Sequence, residues 1–173
     1  MGDKYTLTID RTPHTAKPNN KETALITRRL QAAGRVTLTY GELADLILTG
    51  GTFCCGCYQP SAKGWGEFVG MQMLALDFDR PDVLDPMDAL DRCERLHIAP
   101  LLLYFTFGAT VDPWYPKYRL VFNMGELVTD EDAAHGIIRE MLDVFPEADK
   151  QCSNVSRLFF GGREIIDCRG GAW

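Results

Sequence analysis

The sequence predicts an α+β fold, in which an antiparallel sheet built in the order β-α-β-β-α-β follows a smaller N-terminal α/β module. From residue 71 onward, short apolar runs alternate with helix-length amphipathic segments in that order, which is the order of the split βαβ unit. Before residue 71, two helical segments precede a stretch rich in Gly, Cys and aromatic residues. We therefore assign residues 1–70 to the module and residues 71–173 to the core, and we expect them to form one domain.

Composition and charge exclude several broad classes of protein. With 46% hydrophobic and 24% charged residues, the chain is typical of a globular protein. Its net charge of −6 is unlike that of a basic nucleic-acid-binding domain, although it leaves room for a local basic patch. No apolar run is long enough to cross a membrane, and the N-terminus does not resemble a signal peptide. We therefore expect a cytoplasmic protein with no membrane partner and with reduced cysteines.

Four elements are predicted in the first 51 residues: an edge strand over 5–9, a helix over 21–33, a short strand over 36–39 and a helix over Tyr40–Leu48. Asn19 and Asn20 are suitable caps for the first helix, and Gly34 would end it. Gly50 and Gly51 would close the second helix. Residues 52–70 are predicted to form an irregular loop or hairpin because of their glycine content.

Six elements are predicted in the core: strands over 71–78, 100–107, 117–123 and 157–160, and helices over 86–96 and 129–145. Asp85 and Thr129 are the expected starts of the two helices, and Ile165 and Ile166 can add one more strand. Right-handed crossovers would order the four strands 4-1-3-2. The first strand would then lie between the third and fourth, antiparallel to both.

Two carboxylates at the end of the first core strand indicate a site. Asp77 and Asp79 follow an apolar run, and strand alternation places them on one face with Phe78 on the other. Two acids about 7 Å apart repel each other, and a hard divalent cation with oxygen ligands would relieve that repulsion. The alternative is that Asp79 only begins the turn that follows it.

The predicted strand order brings more charge to the same place. Lys117 and Arg119 begin the third strand, Arg157 begins the fourth, and Asp149 lies in the loop before it. Acids that bind Mg²⁺ or Mn²⁺ beside such bases suit phosphoryl or nucleotidyl transfer. The alternative is a set of cross-strand salt bridges.

Three segments carry a resemblance to a known family: LALDFD, YFTFGATVDPWYPKYRLVF and FPEADKQCSNVSRLFFGG. Over residues 68–162 the chain resembles the archaeo-eukaryotic primase superfamily, in particular the primase-polymerase domains of phages and plasmids. The resemblance implies an RRM-like core and metal-dependent transfer of nucleotides from an NTP or dNTP, onto a primer or a first nucleotide, on a single-stranded DNA template. It also implies a phage- or plasmid-encoded protein in a bacterial host, with a possible helicase domain or partner.

The resemblance also assigns roles to residues. It implies metal ligands at Asp77, Asp79 and Asp149, and nucleotide-binding residues at Lys117, Arg119, Arg157 and Gly108. We expect replacement of Asp77 and Asp79 by Ala to abolish transfer and leave the fold intact.

One motif departs from the family. Its members usually have Ser-x-His in the segment where this chain has Gly108 and Ala109, and none of the three histidines lies nearby in sequence. The alternative function is therefore a catalytically weak or inactive primase-like module that binds nucleotide or DNA. Plain RNA recognition is disfavoured because Phe78 and Tyr118 would face away from the acids, and because acids on the open sheet face would repel RNA phosphates unless a metal neutralised them.

Two further groups have both a functional and a structural interpretation. Cys54, Cys55 and Cys57 would bind zinc only with a fourth ligand, and their spacing is unlike that of structural zinc sites; the alternative is ordinary thiols. Lys63 and Trp65 combine a base with an aromatic ring, as single-stranded DNA contacts do; the alternative is packing of their loop onto the sheet.

Overall fold

A computed structural model describes residues 3–80, 83–108 and 117–169. Within them the strands are β1 Lys4–Asp10, β2 Arg35–Thr39, β3 Thr52–Cys54, β4 Gly56–Tyr58, β5 Phe68–Phe78, β6 Pro100–Thr106, β7 Tyr118–Val128, β8 Leu158–Phe160 and β9 Gly162–Asp167. The α-helices are α1 Asn20–Ala33, α2 Tyr40–Leu48, α3 Pro86–Arg95 and α4 Glu131–Val144, and a 3₁₀ helix covers Lys150–Ser153. The mixed α/β class is therefore confirmed.

The strands form two antiparallel sheets. One has the order β2-β1-β3-β8 and the other has the order β4-β5-β7-β6-β9. Each sheet contains strands from both predicted parts of the chain. β8, from the C-terminal part, pairs with β3 in the first sheet, and β4, from the N-terminal part, pairs with β5 in the second. The three-strand arrangement β5-β7-β6 is the part of the predicted core that the structure contains.

The N-terminal helices begin where the sequence predicts. Asn19 caps α1 and Thr39 caps α2, each in a reciprocal capping box with the glutamate three residues later. The first strand was predicted at an edge, and this is wrong: β1 is interior, with β2 on one side and β3 on the other. Residues 52–58 form the short strands β3 and β4, and β4 pairs antiparallel with β5, so the predicted hairpin forms here rather than an irregular loop.

Strand β5 is almost continuously buried and pairs with β7 from Met71 to Phe78. In that pairing Asp77 lies opposite Arg119 and Phe78 lies opposite Tyr118. The Phe78 and Tyr118 rings stack at 4.6 Å between centroids, and Phe145 meets Phe78 edge-on. Alternation therefore sends the aromatic pair into the core and the charged pair to the other face, as the sequence predicts.

The predicted fourth core strand is wrong in its position. β8 does not pair with β5; the C-terminal part of β5 is covered instead by the segment around the 3₁₀ helix. The Asp149 amide donates to the Asp77 carbonyl at 2.8 Å, and the Asp77 amide donates to the Cys152 sulfur at 3.3 Å. These contacts occupy the edge that a neighbouring strand would need, so the RRM-like order 4-1-3-2 is not formed.

The last strand and the caps of α3 and α4 agree with the sequence in part. The strand expected at Ile165 and Ile166 exists as β9, which pairs with β6. Asp85 caps α3 as predicted, whereas α4 is capped by Asp130 rather than begun at Thr129. Among the described residues, no helix has both the length and the apolar character needed to cross a membrane.

Candidate functional site

A cleft opens where β5 ends, bounded by the neighbouring ends of β6 and β7 and by the turn between β8 and β9. It encloses ≈ 60 Å³. Its described lining residues are Lys17, Asp77, Asp79, Thr106, Phe107, Gly108, Lys117, Arg119, Phe160 and Gly161. Five residues predicted for the site, two acids, two bases and a glycine, are therefore brought together here.

Asp77 lies at the base of this cleft and is 4% exposed. Its Oδ1 accepts a hydrogen bond from Arg119 Nε at 2.9 Å, and its Oδ2 accepts one from Arg157 Nη2 at 2.9 Å. Burial alone would raise the pKa of Asp77, but the two guanidinium groups outweigh it and hold that pKa below its usual range. Asp77 is therefore a carboxylate at neutral pH.

Arg119 is the main partner of that carboxylate and is itself 7% exposed. Its Nη1 donates to the Tyr104 hydroxyl at 3.0 Å and also to the Phe160 carbonyl. Its guanidinium lies 5.6 Å from the ring centroids of both Tyr104 and Phe159. Most of its donors are thus used inside the protein, so its role in the described structure is to hold Asp77.

Arg157 joins two acids. Its Nη2 lies 2.9 Å from Asp77 Oδ2 and 2.8 Å from Asp149 Oδ2. The other oxygen of Asp149 accepts from the Gln151 amide and begins the 3₁₀ helix. The predicted meeting of these residues with Asp77 therefore occurs, but through the turn before β8 and not through a neighbouring strand. Neither Asp149 nor Arg157 is among the described residues that line the cleft.

The cleft lining also includes three half-buried residues, Asp79, Lys117 and Gly108. The Asp79 carboxylate makes no hydrogen bond or ion pair with the described residues. The Lys117 carbonyl accepts from the Thr106 amide at 2.9 Å, which fixes its backbone. A Cβ added at Gly108 would lie 3.3 Å from Lys117 Cδ, so the missing side chain at residue 108 leaves room for the lysine. Ala109, the other residue of the altered motif, lies outside the described residues.

Lys17 also lines the cleft, and sequence reasoning missed it. It belongs to the segment between β1 and α1, which the sequence shows only as polar and proline-containing. The backbone of that segment packs closely against Gly50, because a Cβ added at Gly50 would lie only 1.8 Å from the His14 carbonyl oxygen. Gly50 has a φ of +80°, a conformation that favours glycine. No local sequence pattern predicts this long-range contact.

The carboxylates suit a metal that is shared with a ligand rather than one held by protein alone. The part of the chain that the structure describes has no group of three or more His, Cys, Asp or Glu side chains placed to hold a metal. Asp149 is not among the described residues that line the cleft, whereas Asp77 and Asp79 are. Mg²⁺ is commonly bound by one or two carboxylates together with substrate phosphates, and these two residues fit that kind of site.

The remaining candidates do not line the cleft, and all of them except Lys63 are at least partly buried. All six cysteines are free and buried, and Cys54 Sγ donates to the Val155 carbonyl at 3.3 Å. Trp65 is partly buried against Tyr58, with ring centroids 4.8 Å apart. Lys63 is exposed, and neither it nor Trp65 is among the described residues of the cleft.

Comparisons with known proteins found no match: no family model, no curated protein and no solved structure is similar to the chain.

Proposed function

We propose that this chain is a primase-polymerase-type nucleotidyltransferase domain, which binds a nucleoside triphosphate and transfers its nucleotide to a 3′-hydroxyl on a single-stranded DNA template. The observation that carries the proposal is one cleft that holds Asp77 and Asp79 together with Lys117 and Gly108. A carboxylate pair beside a lysine is the arrangement that phosphoryl-transfer sites use for charge neutralisation.

Each residue of the cleft has a specific role in this proposal. Asp79 is the carboxylate that faces the ligand, and Asp77 is held ionised and in a fixed orientation by Arg119 and Arg157. Lys117 contributes positive charge for phosphate oxygens. When bound at Asp77 and Asp79, Mg²⁺ or Mn²⁺ would neutralise phosphate charge and favour ionisation of the attacking hydroxyl. The backbone next to Gly108 lets the triphosphate approach the sheet closely.

The further parts of the proposal come from the sequence resemblance alone. These are the DNA template, a helicase domain or partner, and a phage or plasmid origin in a bacterial cytoplasm. Of these, the requirement for a DNA template is tested by the synthesis assay.

A second candidate function is a primase-like module that binds nucleotide or DNA without catalysis. The observation that favours it is the pairing of both Asp77 oxygens with guanidinium groups, together with the pairing of Asp149 to Arg157. Two of the three expected metal ligands are thereby already neutralised by protein cations.

The experiment is primer extension and de novo synthesis on single-stranded DNA with Mg²⁺ or Mn²⁺. Asp79→Asn is the informative variant because Asp79 has no structural partner among the described residues, and Asp91→Asn, an exposed position on α3, is its matched control. Metal-dependent product that disappears in Asp79→Asn and persists in Asp91→Asn would support transfer. Nucleotide binding without product would support the second candidate, and absence of both would contradict both.

A further inference from the structure

We propose that Lys17 is a triphosphate-binding residue, acting with Lys117 as a pair of cations on the same cleft. The inference rests on the proposed function, since it names the part of the nucleotide that the cleft holds. Both lysines line the cleft beside Asp79, although they lie far apart in sequence. Lys17 comes from the segment between β1 and α1, and Lys117 comes from the residue before β7.

The segment that carries Lys17 is held in place at several points. Near its start, the Asp10 carboxylate accepts from the amide and hydroxyl of Thr12, at 3.1 and 2.8 Å. The same carboxylate is paired with Arg29 of α1 at 2.7 Å. Pro18, directly after Lys17, is buried. The backbone of Lys17 is therefore fixed while its side chain is exposed, so little ordering of the segment is needed when a ligand binds.

The charge of the cleft favours an anion. Arg119 and Asp77 neutralise each other through their hydrogen bonds, which leaves Lys17 and Lys117 against Asp79 alone. Neither lysine forms a salt bridge with an acid in the described parts of the chain. The cleft thus has an excess of one positive charge on a protein whose net charge is −6. Such a local reversal of sign attracts a compact anion.

The geometry favours a triphosphate over a DNA backbone. One strand of DNA carries its charges spread out, at one per about 3.4 Å, and would need a basic track. Here two lysines, which form no salt bridge with the described residues, line a single space of ≈ 60 Å³ together with two carboxylates. A triphosphate concentrates several charges in a short chain of atoms, and it shares them with a cation at the carboxylates.

The test is calorimetric titration of the full chain with ATP, dATP, AMP and adenosine in the presence of Mg²⁺. Lys17→Gln is compared with Lys21→Gln, which removes an exposed lysine at the start of α1 outside the described cleft lining. Loss of one charge-assisted hydrogen bond predicts roughly tenfold weaker binding of ATP or dATP by Lys17→Gln. We expect a smaller loss for AMP, and no change for Lys21→Gln. Thermal unfolding of both variants is measured to show that each retains the wild-type fold.

The outcomes separate this inference from the proposed function. If wild type binds neither triphosphate, both are overturned. If wild type binds and Lys17→Gln binds equally well, only the role of Lys17 is overturned. A parallel titration with a single-stranded oligonucleotide gives the third result: weaker DNA binding with unchanged ATP and dATP binding would make Lys17 a DNA contact and also overturn the inference.

Discussion

Replacing Asp77 should lower the stability of the fold, although Asp77 lines the candidate cleft. Asp77 and Arg119 are only 4% and 7% exposed, and they are joined at 2.9 Å. Removal of the carboxylate leaves the Arg119 guanidinium buried without its anion. Breaking a buried ion pair from one side costs about 3–5 kcal/mol. In a chain of this size each kcal/mol lowers Tm by roughly 2–4 °C, so Asp77→Ala should lower it by roughly 6–20 °C.

The assay is unfolding in urea and by heat, followed by circular dichroism. Asp79→Ala is the matched control. It removes the same chemical group two residues further along the chain, but the Asp79 carboxylate has no partner among the described residues. A surface change of that kind alters stability by no more than about 0.5 kcal/mol. Equal stability of the two variants would refute the reasoning. We therefore expect removal of Asp79 to leave the fold intact and removal of Asp77 to destabilise it.

Two further predictions concern the same site. Folding lowers the pKa of Asp77, so the stabilising contribution of its carboxylate is complete above the unfolded pKa of about 4 and is lost as pH falls through the folded pKa. The difference in unfolding free energy between wild type and Asp77→Asn should therefore narrow from pH 5 to pH 2. A difference that stays constant over this range would contradict the role given to the ion pair. Lys117→Gln should weaken ATP binding roughly tenfold in calorimetry. Gly108→Ser should weaken ATP binding only while Lys117 is present, because a Cβ at residue 108 would lie 3.3 Å from the Lys117 side chain. If the losses were additive in a variant that carries both Lys117→Gln and Gly108→Ser, the role given to Gly108 would be wrong.

The part of the site that could be predicted from the sequence depends on strand periodicity. Alternation placed Asp77 and Asp79 on one face, and an antiparallel third strand placed Arg119 opposite Asp77. Such inferences need only the geometry of a strand pair. The same rule placed Phe78 and Tyr118 in the core, where they stack.

The parts that could not be predicted depend on competition between distant segments. The sequence of β8 is compatible with pairing to β5, but the Asp149 amide and the Cys152 sulfur already occupy that edge. Arg157 reaches Asp77 all the same, because a long side chain from a nearby turn spans the distance. Lys17 reaches the cleft through a backbone contact at Gly50 that has no local signature.

The pairing of β8 with β3 has a consequence for synthesis of the chain. The Cys54 thiol and the Val155 carbonyl that it meets are 101 residues apart, and the register joins Thr52 to Phe160. During synthesis, the first sheet therefore cannot gain β8 until residues 158–160 have left the ribosome, more than 100 residues after β3. Contacts of such long range slow folding because a large loop must close before they form. During that interval β3 has an unpaired edge, the kind of surface that invites association between nascent chains.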